Sequence, residues 1–254
     1  MSEAERDAAA FFDERARSYD EAYDARGADG HALRARMEAA LRLAGHGPGE
    51  ALDAGMGPGR LLAELAAQGW SVSGVDPAEK MVAVARRRLP EAASRLVAAQ
   101  AEQLPFADAS FDLVLTTGVL EFTDLPRALV ELARVLRPGG RAVVSYPNGR
   151  SLYGAWKTRV FYRGVRIAKQ LARRPRQTLP KGSGLVSLAR FRALLASAGF
   201  VVESVEYTSF LVLPSPLDVL LPGATEALGS RLEGSGPGLG RLLATQLVLA
   251  ARKP

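Results

Sequence analysis

The chain has 254 residues, of which 48% are hydrophobic, enough for one sizeable core, and its formal net charge is +6. It holds no cysteine and two histidines, His31 and His46, which excludes disulfides, thiolate metal sites, a cysteine nucleophile and a histidine-rich cluster, so no metal site is expected. No apolar run reaches the roughly 18–20 residues of a membrane span, and no N-terminal segment reads as a signal peptide, so a cytoplasmic protein is expected.

In chain order, helical patterns are predicted over Ala4–Tyr23 and His31–Leu43. The apolar run Ala51–Ala54 then reads as a buried strand containing Asp53. Gly55, Gly57 and Gly59 follow at alternate positions, and a helix is predicted over Gly59–Gln68. Glycine suits a backbone that must take positive φ or approach a ligand. The N–H groups at a helix start suit an anionic group, whereas an acid before the turn suits a ligand that also carries positive charge. A dinucleotide site requires G-x-G-x-x-G, but here the third position is Arg60 and Gly59 comes one residue early.

A second strand, Ser71–Asp76, again ends in an acid. In a doubly wound sheet such an acid reaches the ribose hydroxyls of a nucleotide-like ligand. Asp76 also stands where an N-cap would, with Pro77 at the first helical position and Glu79 three residues on, so capping is the competing role. A helix over Ala78–Arg88 follows, then strands over Arg95–Ala99 and Phe111–Thr117, a helix over Leu125–Leu136, and strands over Arg141–Tyr146, Phe200–Thr208 and Leu243–Ala251. This alternation predicts an α/β fold with a doubly wound, mostly parallel sheet covered on both faces.

Four ordered motifs carry a family resemblance. They are Asp53-Ala54-Gly55-Met56-Gly57-Pro58-Gly59, the strand ending in Asp76, Ala101-Glu102-Gln103-Leu104-Pro105-Phe106 with Phe111 to Phe122, and Leu136-Arg137-Pro138-Gly139-Gly140 before the fifth strand. Together they resemble class I S-adenosylmethionine (SAM) methyltransferases similar to those of ubiquinone and menaquinone biosynthesis. The resemblance covers roughly residues 11–147 and resumes near Phe191–Phe200 and Gln246–Pro254. It implies a seven-stranded Rossmann-like sheet and SAM as cofactor. The cofactor residues it implies are Tyr19, Asp53, Gly55, Gly57, Gly59, Asp76, Pro77, Met81, Gln100, Ala101, Glu102 and Gly118. Two positions depart from the family pattern: its adenine-contacting Asp falls on Gln100, whose amide oxygen can still accept a hydrogen bond, and its His after Leu-Glu falls on Phe122. Phe122 cannot act as a base and is expected to pack or to wall the acceptor pocket.

The SAM sulfonium is already an activated methyl donor, so the protein has chiefly to position the acceptor, and a base is needed only for some acceptors. Glu121 and Tyr19 are the catalytic candidates, with Tyr146 and His31 also in view. Tyr19 lies in Phe11-Phe12-Asp13-Glu14-Arg15-Ala16-Arg17-Ser18-Tyr19-Asp20, similar to a segment that closes over the cofactor in relatives; ordinary helix packing is its alternative.

A single domain over 1–254 is expected, with a helical cover over 1–46, a basic insertion or lid over 148–186, and an apolar insertion over 209–242. From Leu132 to Val202 there are fifteen Arg or Lys and no Asp or Glu. Within this stretch Trp156–Arg174 has helical spacing, with Trp156, Val160, Gly164, Ile167 and Leu171 on one face. It reads as a solvated basic face, a contact with an anionic membrane surface, or a means of capturing an anionic substrate. Phe210–Pro222, apolar and broken by prolines, would line the acceptor pocket or cover the sheet edge, and Gly234–Gly240 reads as a flexible turn. The expected activity is methyl transfer to oxygen or carbon of a small, apolar or lipid-linked acceptor. The alternatives are a nucleic-acid methyltransferase, disfavoured by Thr116-Thr117-Gly118-Val119 at the end of the fourth strand, and a SAM- or lipid-binding module without catalysis. Oligomeric state is open.

Overall fold

The computed structural model describes residues 3–161, 163, 186–214 and 216–254. Helices α1 (Glu3–Ala22) and α2 (Ala28–Ala44) precede the alternating part. There β1 (Glu50–Ala54), α3 (Arg60–Ala67), β2 (Ser71–Asp76), α4 (Glu79–Arg88), β3 (Leu96–Ala98), β4 (Phe111–Thr116), α5 (Leu125–Val135) and β5 (Leu136–Pro147) follow in order. After β5 come α6 (Leu152–Trp156), a π-helical turn over Lys157–Phe161, α7 (Leu188–Ser197) and β6 (Val201–Phe210). The short helices α8 (Leu217–Leu220), α9 (Pro222–Leu232) and α10 (Pro237–Leu243) lead into β7 (Ala244–Arg252).

The seven strands form one sheet in the order β3-β2-β1-β4-β5-β7-β6. β1, β2, β3, β4 and β5 pair in parallel, and β7 runs antiparallel to both β5 and β6. The sheet is therefore mixed at one side, and parallel around β1. Strand β4 shows why both faces are covered: Val114 points into the apolar layer under α5 and α7, and its neighbours Leu113 and Leu115 point into the layer under α2, α3 and α4. Helix α5 begins at Asp124, whose carboxylate accepts the Arg127 N–H (3.3 Å), and buries Leu125, Ala128, Leu129 and Leu132. Each such leucine contributes about 1.5–3 kcal/mol by leaving water.

Helix α1 lies over α4, with Phe12, Ala16 and Tyr19 packed on Ala78 and Met81. Asp20 fixes it further by accepting from Arg60 Nε (2.6 Å) and from Arg88 Nη2 (2.9 Å). One sequence expectation needs correction. Gly234–Gly240 is not simply a turn: α10 starts at Pro237, whose missing N–H is harmless in a first helical turn, and Gly240 is required where a Cβ would stand 2.5 Å from Tyr207. The Phe210–Pro222 run is split, Phe210 ending β6 and Leu217–Leu220 forming a helical turn. The predicted amphipathic helix over Trp156–Arg174 falls largely outside the described residues; Trp156 ends α6 and Val160 lies in the π-helical turn. Among the described residues no helix is long and apolar enough to cross a membrane.

Candidate functional site

Strand order reverses on the two sides of β1, and at that switch the carboxyl ends of β1, β2 and β4 open into one cavity with α1 as its outer wall. The loop after β1 forms its floor. Gly55 and Met56 both donate their N–H groups to Val75 O (2.8 and 2.9 Å), which pulls the loop across the end of β2. Gly55 has φ +91°, and a Cβ there would stand 2.1 Å from Val119, so only glycine fits. Gly57 has φ +51° with open space where its Cβ would be, leaving backbone bare toward the cavity.

Asp76 is the hinge of this arrangement. Its Oδ2 accepts the Gly57 N–H and its Oδ1 accepts the Ala78 N–H, both at 2.9 Å. Asp76 does not take the competing N-cap position: Ala78 is the N-cap of α4, and Asp76 bridges the glycine loop to the chain entering that helix. A carboxylate has about four lone-pair sites, so both oxygens retain capacity for a ligand. Burial raises Asp76 to about 6 against the two N–H bonds that favour its charge.

Asp53, buried near the end of β1, lines the same cavity, and its Oδ1 has no hydrogen-bond partner among the described residues. Burial first, then repulsion from Asp76, raises it to about 7, opposed by the charge of Arg36. A buried carboxylate oxygen without a partner is a ready acceptor for a cationic donor.

Arg36 was not foreseen from the sequence. It comes from α2, is buried, and lies against Gly118, with Nη2 donating to the Tyr19 hydroxyl at 3.5 Å. Burial alone would depress its pKa; Tyr19, Tyr23 and Glu121 outweigh that and raise it. Tyr23, also unforeseen, lines the cavity, and burial pushes its hydroxyl well above the ordinary range. The available signal was spacing: Arg36 lies on the same stripe of α2 as the buried Ala39 and Ala40.

Of the residues singled out from the sequence, Tyr19, Asp53, Gly55, Gly57, Asp76, Pro77, Met81, Gln100, Ala101, Glu102 and Gly118 all line this cavity. Glu102 also accepts the Asp124 N–H at the start of α5 (2.9 Å), and Gly118 donates its own N–H to Ser145 (2.8 Å). Gly59 does not line it: its φ of +77° starts α3, and a Cβ there would stand 3.0 Å from Ala85. Glu121 lies outside the lining, its carboxyl buried near Arg36 and raised by that burial. Tyr146 stacks on Phe191 (4.6 Å between centroids), away from the cavity. His31 is buried 3.3 Å from Glu233, also away from it. Phe122 is part of the wall, edge-on to Phe12 at 5.5 Å.

A methyltransferase domain model matches residues 52–144, the span from β1 to β5 that carries the glycine loop, Asp76 and Gln100. A demethylmenaquinone methyltransferase of Beutenbergia cavernae is 41% identical over 143 residues, 55% of this chain and 57% of that protein. A malonyl-[acyl-carrier protein] O-methyltransferase of Pseudescherichia vulneris is 38% identical over 136 residues, 51% of this chain and 53% of that protein. The chain spans about half the length of these two curated relatives, and less of several others. The likeness in fold extends further: the crystal structure of a SAM-dependent methyltransferase of Thermotoga maritima covers 96% of this chain and 99% of that one, with TM-score 0.64 at 23% identity.

The residues present fit SAM, the cofactor that the sequence resemblance implies, on two counts. The partnerless Oδ1 of Asp53 suits the cationic amine, and the bare backbone at Gly57 beside the Asp76 carboxylate suits a nucleoside close to the loop.

Proposed function

We propose that the chain is a SAM-dependent methyltransferase acting at oxygen or carbon of a small, apolar or lipid-linked acceptor. The observation that carries this is the pairing, in one cavity, of the open Asp53 oxygen with an aromatic and aliphatic wall formed by Phe12, Val119 and Phe122. When bound, SAM supplies a methyl group on a sulfonium, an electrophile that needs no further activation.

The chain's own residues bind, orient and shield. Asp76 and Gln100 hold the ribose and adenine ends, and Asp53 holds the amine. Tyr19 and Phe12 of α1 cover the cavity and keep water from it. The phenyl ring at Phe122, where the family has histidine, makes this wall apolar and provides no base. Glu121, buried near Arg36, organises that cation instead of meeting the acceptor. Acceptor placement, not proton abstraction, is then the main contribution of the protein.

Labelled SAM offered with a demethylated quinol, an isoprenoid alcohol and a malonyl thioester tests the reading. Label should pass to an apolar acceptor, and S-adenosylhomocysteine should bind in calorimetry. Absence of homocysteine-analogue binding would remove the cofactor assignment. Cofactor binding with no transfer to any apolar acceptor would leave a binding module.

A further inference from the structure

A second cavity, of about 670 Å³, opens beyond β5, and three of the fifteen basic residues between Leu132 and Val202 line it. Four arginines face it from four different elements: Arg150 after β5, Arg159 in the π-helical turn, Arg192 on α7 and Arg241 on α10. Among the described residues its lining contains no Asp or Glu. None of the four guanidinium groups pairs with a carboxylate among the described residues. Arginines elsewhere are commonly paired, as Arg60 is with Asp20, Arg88 with Asp20, Arg137 with Asp112 and Arg252 with Glu203. Even Lys157, two residues before Arg159, lies 3.8 Å from Asp29.

The remaining lining is not uniformly polar. Leu188, Tyr207 and Leu247 give it an apolar side. The N-terminus of the ten-residue α7, capped by Ser187, enters the same cavity and adds the positive end of a helix. Guanidinium groups match phosphate oxygens in geometry as well as charge, which a solvated basic face would not require.

We propose that this cavity binds a phosphate or diphosphate group carried on an apolar body, and that it anchors the acceptor at a distance from the methyl-transfer cavity. The Tyr146 hydroxyl accepts the Val186 N–H (3.3 Å) at the rim of the basic cavity. The use of the anchor rests on the methyltransferase reading, but the binding of phosphate does not.

The test uses the full chain and two probes, inorganic pyrophosphate in calorimetry and co-sedimentation with phosphatidic-acid vesicles against phosphatidylcholine vesicles. Arg192→Gln/Arg241→Gln is compared with Arg87→Gln/Arg127→Gln, which removes the same charge from exposed positions on α4 and α5. Pyrophosphate should bind the wild type, weaken about tenfold or more in the first variant, and change less than about twofold in the second, since distant exposed charges are screened. Affinity for S-adenosylhomocysteine should be the same in all three, which also shows that the variants fold. Vesicle binding that needs Arg192 and Arg241, without pyrophosphate binding, would support the site and name a lipid headgroup as the source of the phosphate. Equal weakening in both variants, or no arginine-dependent binding of either probe, overturns the proposal. Failure of the wild type to bind S-adenosylhomocysteine would overturn the methyltransferase reading and leave the pyrophosphate result standing.

Discussion

The guanidinium of Arg36 lies so close to Gly118 that a Cβ on Gly118 would stand 2.8 Å from its carbon and from both terminal nitrogens. Glycine at the end of β4 is thus what lets a buried cation from α2 reach the rim of the cofactor cavity. There it opposes the high pKa of Asp53 and meets the Tyr19 hydroxyl.

Gly118→Ala should therefore fail on two counts. At φ +71° a non-glycine residue costs about 1–2 kcal/mol, and the methyl group must also displace Arg36. Urea unfolding should show a lower midpoint with an unchanged slope, and cofactor affinity should fall with it. Wild-type stability together with wild-type affinity would mean that Arg36 does not occupy this place.

Asp76→Ala removes the acceptor of two backbone N–H groups and, in the proposed reading, a ribose partner. Hydrogen bonds to a charged group contribute roughly 1.5–3 kcal/mol each, so cofactor affinity should fall about tenfold to several hundredfold. Calorimetry with S-adenosylhomocysteine measures it. Unchanged affinity in a folded variant, or tight NAD binding by the wild type, would sink the assignment.

Gln100 lines the cavity where the family carries Asp. If its amide oxygen accepts from the adenine amino group, Gln100→Leu should weaken the cofactor and Gln100→Asp should retain it. Equal affinity in all three proteins would assign adenine recognition to backbone groups or other side chains.

The lining of the cavity was legible in the sequence because its contributors stand at or just beyond strand ends. Asp53, Asp76 and Gln100 follow short apolar runs, and a parallel sheet brings strand ends together without further information. Arg36 was harder to read: its spacing puts it on the stripe of Ala39 and Ala40, but a helical arginine reads as solvent-facing until α2 is packed across β5, β6 and β7. The helix at Pro237–Leu243 was hidden by Gly236, Gly238 and Gly240, which signal a turn unless the close approach of Tyr207 is known. His31 and Tyr146 looked available for catalysis because sequence gives residue type without direction. Glu233 and Phe191 take them up in the fold.

Protonation should govern both stability and cofactor binding. Asp53 sits at about 7 and Asp76 at about 6, both raised from 3.8, first by burial. For an acid raised in the folded state, the stabilisation is full below the unfolded value and is lost as pH rises through the folded one. The ligand-free protein should therefore lose stability between about pH 4 and pH 7.5. For Asp53 alone, the gap between 3.8 and about 7 is worth about 4 kcal/mol. A cationic amine placed on the open Asp53 oxygen reverses the preference, because it favours the ionised carboxylate. Cofactor affinity should thus rise over pH 5 to 7.5, by up to about tenfold per pH step, with proton release. The amine itself stays charged below its own pKa of about 7.7–8.0. Arg36→Met removes the cation that holds Asp53 down, so the rise should move to higher pH in that variant. Titrations in buffers of different ionisation enthalpy count the released proton. A flat affinity across this range, with no proton released, would show that the Asp53 carboxylate does not receive the amine.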